Sequence, residues 1–94
     1  MNIEQIAALY IAEKRRTRRA NTCDGYESAL RRHVLPRLGS MRVEDVEPAD
    51  IQDWIDGFDL PGAAEKAWKT LRQVIRWAIR KLGVRSWDPT AAGV

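Results

Sequence analysis

The sequence predicts an all-α fold, a compact four-helix bundle, and three observations carry that expectation. Apolar residues recur at three- and four-residue spacing along most of the chain. No stretch alternates with the period of two that marks a half-buried strand. The punctuating residues Pro36, Gly39, Pro61, Gly62 and Gly83 fall between the periodic segments, as chain breakers between helices should. With 94 residues, 45% of them hydrophobic, the chain is the size of one domain with one modest core.

In the first segment Ile3, Ile6, Ala7, Tyr10 and Ile11 share one helical face, and the helix runs out in the KRRTRR stretch. The second helix is expected to begin near Asn21 or Thr22, either of which can act as an N-cap by accepting a free backbone N–H. Its buried stripe is Tyr26, Leu30 and either His33 or Val34, and Pro36 is expected to end it, because proline disfavours helical geometry in the residue before it. A connector follows Gly39-Ser40, with Met41, Val43 and Val46 available to pin it to the core. Pro48 suits the first turn of a third helix, and Asp50 is placed favourably against that helix's dipole. Ile51, Trp54, Ile55 and Phe58 give this helix its apolar face. Pro61-Gly62 is read as a break before the longest helix, about Ala63 to Leu82, which Gly83 terminates. Four Trp are the expected core fillers.

Formal net charge is only +3, but the charges are segregated. Lys14, Arg15, Arg16, Arg18 and Arg19 place five cations in six residues. Between Leu60 and Gly83 there are six Lys or Arg against one Glu, whereas between Ser40 and Asp59 one Arg stands against seven acids. Such a dipolar chain offers a basic side to a polyanion; the same runs also serve as solvated helix faces. No run of about 20 apolar residues suggests a membrane span, and the expectation is a soluble, cytoplasmic protein. Cys23 is the single cysteine, so no internal disulfide forms.

The longest helix carries the most informative pattern. At 100° per residue, Ala64, Trp68, Leu71, Ile75, Ala78 and Leu82 gather on one side, while Lys69, Gln73, Arg76 and Arg80 cluster on the other, flanked by Lys66 and Arg72. A core stripe backed by a straight basic stripe suits a helix lying on DNA, with cationic side chains reaching phosphates and base edges. It also suits a surface helix made soluble by Lys and Arg. The basic bend is open in the same way: Arg16, Arg18 and Arg19 either clamp a phosphate backbone beside the next helix N-terminus or simply solvate a loop. Enzyme signatures are missing. His33 is the single histidine, no second His or Cys completes a metal site with it, and the glycines form no phosphate-cradling motif. Cys23 has no base partner in sequence, Tyr10 and Tyr26 sit at core spacings, and the series Asp50, Asp53, Asp56 and Asp59 has no loop to gather it around a cation. No catalytic residue, metal or cofactor is assigned; the acidic helix offers a complementary face to a basic partner.

The order of these pieces resembles the core-binding domain of phage-type integrases, the tyrosine recombinases. The residues that carry it are Thr22 and Tyr26; the run Leu30-Arg31-Arg32-His33-Val34-Leu35-Pro36-Arg37-Leu38-Gly39; Val43, Val46, Pro48, Asp50 and Ile51; and Leu71, Arg72, Ile75 and Ala78, followed by Gly83-Val84 and Trp87-Asp88-Pro89. The resemblance implies a SAM-like bundle over residues 1–84, with 85–94 starting a linker to a C-terminal catalytic domain that this chain lacks. It further implies double-stranded DNA as partner, along with that catalytic domain and other integrase protomers. DNA contacts would then come from Asn21, Thr22, Lys66, Lys69, Thr70 and Gln73, with Arg18, Arg19, Arg72 and Arg76 on the backbone. Family members usually carry Asn where this chain has Asp88, a departure expected to matter little. The catalytic Arg, Lys, His and Tyr of the family belong to the other domain, so the piece would position DNA without cutting it. A helical protein–protein adaptor is the competing expectation; a helix-turn-helix repressor fits less well, since no short helix pair with a tight turn stands out.

Overall fold

The computed structural model describes residues 1–17, 19–85 and 88–91. Four helical rods pack around one core: α1 (Ile3–Thr17); a second rod made of α2 (Ala20–Ala29), a π-helical turn (Leu30–Val34) and α3 (Leu35–Leu38); α4 (Pro48–Asp56); and α5 (Pro61–Leu82). There is no β-strand among the described residues; a single antiparallel bridge pairs Asn2 with Arg42. The all-α bundle expected from periodicity is therefore what forms.

The chain closes on itself at the start of α1. Asn2 and Gln5 cap each other reciprocally, each backbone N–H donating to the other's side-chain oxygen at 2.9 and 2.8 Å, which satisfies two of the free donors of a helix start. The amides of Ile3 and Glu4 donate to the carbonyls of Met41 and Gly39, and the Val43 amide donates back to Met1. Val43 and Val46 of the connector are fully buried, so they pin it as anticipated, while Met41 packs against the core partly exposed.

The second rod departs from expectation at both ends. Its N-cap is Arg19, in extended geometry, and Ala20 is the first helical residue; Asn21 and Thr22 lie within the first turn, and no side chain caps the helix. Nor does Pro36 end it. Helical geometry runs on to Leu38, because the π-turn widens the ladder so that the Leu35 amide reaches back to the Leu30 carbonyl. Pro36 then sits in the first turn of α3, where a missing N–H is tolerated. The same region anchors α4: the Trp54 indole donates to the His33 carbonyl at 2.7 Å, and Phe58 stacks near both rings. Of the alternatives for the inward position on the rod, Val34 is fully buried and His33 only half.

The longest helix also starts earlier than the sequence suggested. Pro61 and Gly62 are its first residues rather than a break before it, since proline's fixed φ and absent N–H fit the first helical position. It ends as expected at Gly83, the one described residue with positive φ, at +61°. The core takes Trp54 and Trp77, whereas Trp68 is half-buried and Trp87 lies outside the described residues. Packing continues past Val84: Arg85 donates to the carbonyls of Val43 and Val46 at 2.8 and 2.6 Å, and Pro89 and Thr90 are buried.

Gly39 sets the closest backbone approach in the fold. A Cβ placed there would lie 2.6 Å from the Leu35 carbonyl oxygen and 3.1 Å from its Cα. Since the Gly39 amide donates to that carbonyl and its own carbonyl holds Glu4, neither side can give way freely. Gly39→Ala is expected to destabilise the bundle by about 1–3 kcal/mol, as overpacking does. Thermal unfolding followed by circular dichroism should show Tm falling by at least about 4 °C; an unchanged Tm would show that the turn relaxes.

Candidate nucleic-acid interface

Burial along α5 defines which way its charges point. Ala64, Ala67, Thr70, Leu71, Val74, Ile75, Trp77 and Ala78 face inward, and Lys66, Lys69, Gln73, Arg76 and Arg80 all lie on the exposed side. The inward arc is wider than the apolar stripe read from sequence. It includes Ala67, Val74 and Trp77, and it excludes Leu82, which is 39% exposed. The outward stripe from Lys66 to Arg80 spans about 21 Å at 1.5 Å per residue.

The stripe's members are not equivalent. Lys66 and Arg80 have no carboxylate partner among the described residues. Lys69 pairs with Glu65 one turn back at 3.1 Å, an exposed pair of the kind that contributes little. The Arg76 Nε donates to Asp88 at 2.8 Å. Arg72 is half-buried, its guanidinium 5.2 Å from the Trp68 ring centre, and its Nε is shielded from solvent without an acceptor among the described residues. Gln73 accepts a 3.3 Å hydrogen bond from the Tyr10 hydroxyl. Thr70 faces inward, 5% exposed, and its hydroxyl donates to the Lys66 carbonyl at 3.0 Å, so its polar atom is committed within the helix.

Aromatic side chains join α1 and α2 to α5. Tyr10 of α1 packs edge-on against Trp77 of α5 at 5.6 Å and tilted against Tyr26 of α2 at 5.8 Å. The contacts Tyr10 to Gln73 and Glu13 to Trp77 advance together along α1 and α5, so the bend after Thr17 lies toward the C-terminal half of α5. Within the bend Arg15 is engaged: it bridges Glu27 and Asp24 of α2, and those hydrogen bonds raise its pKa above an arginine's ordinary value. Arg16 and Arg19 are exposed without an ion pair among the described residues, and Arg18 lies outside the described residues. Asn21 and Thr22 are exposed in the first turn of α2, which no side chain caps; the Thr22 and Cys23 amides donate to the Arg19 carbonyl at 3.1 and 3.2 Å. Cys23, one residue further on, is fully buried.

The acids do not cancel this side. None of the α4 aspartates forms an ion pair with a stripe cation; the stripe's two carboxylate partners are Glu65 and Asp88. Among the described residues no cluster of His, Cys, Asp and Glu is arranged to hold a metal ion, and no helix is long and apolar enough to cross a membrane.

The fold is a four-rod helical bundle with cations aligned along the outward side of α5. The family described as phage integrase, N-terminal SAM-like domain, matches residues 2–58, and this chain belongs to it. The match places the chain in the N-terminal SAM-like region of phage integrases rather than in their catalytic domain, and it covers α1 to α4. No curated protein and no solved structure matches the chain. The stripe of α5 thus lies beyond the matched residues, and its reading rests on its own geometry.

Sequence reasoning missed what Asp88 does. Where relatives were expected to carry a neutral Asn, this chain places a carboxylate that accepts from Arg76, the Thr90 amide and the Thr90 hydroxyl. The spacing from Arg76 to Asp88 crosses a helix end, so no helical periodicity could reveal the pair. Partial burial alone would raise the Asp88 pKa, but the Thr90 hydroxyl, the Arg76 guanidinium and the Thr90 amide outweigh it and hold the carboxyl below its ordinary value. A folded-state pKa below the unfolded one stabilises the docked segment fully above the ordinary aspartate range and loses that contribution as pH falls through the lowered value. The Thr90 amide resonance should therefore hold its folded position until pH drops below the usual aspartate range. Asp88→Ala should abolish that transition, and a transition at an ordinary or higher pH would contradict the assignment.

Proposed function

We propose that this domain is the core-binding module of a tyrosine-type phage integrase, holding duplex DNA in place for site-specific recombination without performing the chemistry. The observation that carries the reading is the outward line of Lys66, Lys69, Gln73, Arg76 and Arg80 on a helix whose opposite side is locked in the core. A line of about 21 Å spans on the order of six base steps, enough for several phosphate contacts. In this reading Lys66, Lys69, Arg72 and Arg76 neutralise phosphates, Gln73 reaches a base edge, and Arg19, Asn21 and Thr22 grip the backbone at the α2 N-terminus. Arg18 belongs to the same grip by sequence. Thr70 is left out of direct contact, since its hydroxyl is held by the Lys66 carbonyl. The partners are double-stranded DNA, a C-terminal catalytic domain in the same polypeptide, and further integrase protomers on the site; the tyrosine nucleophile and its Arg, Lys and His companions belong to that catalytic domain.

Backbone-dominated binding predicts a steep salt dependence. With four to six phosphates neutralised, log K should fall against log salt with a slope of about −4 to −5, measured by fluorescence anisotropy on a short labelled duplex. Lys66→Ala and Arg80→Ala should each flatten the slope by about one. Lys69→Ala and Arg76→Ala should flatten it less, because each of those cations exchanges a carboxylate for a phosphate. A slope near zero would refute the reading.

The Asp88–Arg76 pair makes a prediction of opposite sign. Asp88→Asn keeps the shape of the exit segment and removes the competing charge, so it should tighten duplex binding and steepen the salt slope by up to about one. Weaker binding by this variant, at unchanged Tm, would show that Arg76 is not a DNA contact.

A further inference from the structure

We propose that the groove between the end of α4 and the first turns of α5 is a docking site for a basic, amphipathic segment of a partner protein. The groove has a volume of about 450 Å³, with Ile55, Phe58 and Trp68 forming an apolar floor and Asp56, Asp59 and Glu65 an acidic rim. The floor residues are half-buried, packed at the edge of a core that seals Ile51 and Trp54 completely or nearly so. Leu60, 68% exposed, is not part of this lining and borders the neighbouring hollow with Arg32 and Arg37.

Charge selects the occupant. Asp53, Asp56 and Asp59 have no cation partner among the described residues; Asp56 accepts only the Gln52 amide, at 2.9 Å. Glu65 is paired with Lys69, yet both stay largely exposed. A concave apolar site whose rim carries two unneutralised carboxylates, Asp56 and Asp59, repels nucleic acid and attracts Lys or Arg, while its floor requires apolar anchors. A cationic segment with apolar anchors meets both conditions. No stripe cation lines the groove, although Glu65 of its rim pairs with Lys69 and Arg72 packs against the Trp68 ring.

The test is a titration of the ¹⁵N-labelled chain with a synthetic helical peptide of about four turns, Leu on one face and Lys on the other, alongside the same peptide with Glu replacing Lys. Saturable shifts are expected at the Trp68 indole and at the amides of Ile55, Phe58 and Glu65, with the Glu peptide silent. Asp56→Lys combined with Asp59→Lys should weaken the Lys peptide by roughly tenfold or more. Lys66→Ala should change its affinity less than about twofold, because Lys66 lies off the groove. Should the double variant unfold, the conservative Asp59→Asn at the exposed rim should still weaken binding by about threefold. Absent shifts, shifts mapping to another face, equal binding of the Glu peptide, or displacement of these resonances by duplex DNA would overturn the proposal. So would sedimentation showing that a second copy of the chain fills the groove.

Discussion

Burial of one face of α5 against α1 and the second rod is the constraint on which everything else here depends. Leu71, Val74, Ile75, Ala67 and Ala78 are fully buried along a single helix, and each large aliphatic among them contributes about 1.5–3 kcal/mol when removed from water. That stabilisation fixes the helix's rotation about its own axis. A rotation that exposed Ile75 would bring charged residues of the opposite face into the core at far greater cost. The outward basic line is therefore a consequence of the core. The Tyr10, Tyr26 and Trp77 cluster extends the same logic sideways, joining α1 and α2 to the level of Gln73.

The electrostatics follow from this placement. Ion pairing among the described residues takes up only part of the positive charge of the bend and of α5. Arg15 is taken by Glu27 and Asp24, Lys69 by Glu65, and Arg76 by Asp88. Lys66, Arg80, Arg16 and Arg19 remain without such partners among the described residues. Exposed pairs of this kind contribute little to stability. The aspartates of α4 form no ion pair among the described residues.

Much of the fold was legible because a helix repeats its environment every three or four residues. Ile3, Ile6, Ala7 and Tyr10 were read as core and are core, and so were Leu30, Ile51, Trp54, Leu71 and Ile75. Pro36 was misread because a proline's local effect depends on the hydrogen-bond ladder around it: the π-turn at Leu30–Val34 supplies a register in which its missing N–H does no harm. Asn21 and Thr22 were given a capping role by residue type, yet the chain enters the helix at Arg19 and leaves both side chains pointing out of an uncapped turn. Propensity names residues able to cap; the path of the preceding bend decides which one is placed to do so.

Composition and periodicity by themselves determined the class of fold, the four helical segments and the existence of a cationic side on α5, because these depend on intervals within one segment. The tertiary structure alone decided that Asp88 returns to Arg76, that Thr70 turns inward, that Gln73 meets Tyr10, and that Ile55, Phe58 and Trp68 border an acid-rimmed groove. Those facts join residues 12 to 63 positions apart, or depend on how wide an arc the core covers. Such relations are set by how packed helices exclude water, and no local spacing rule encodes them.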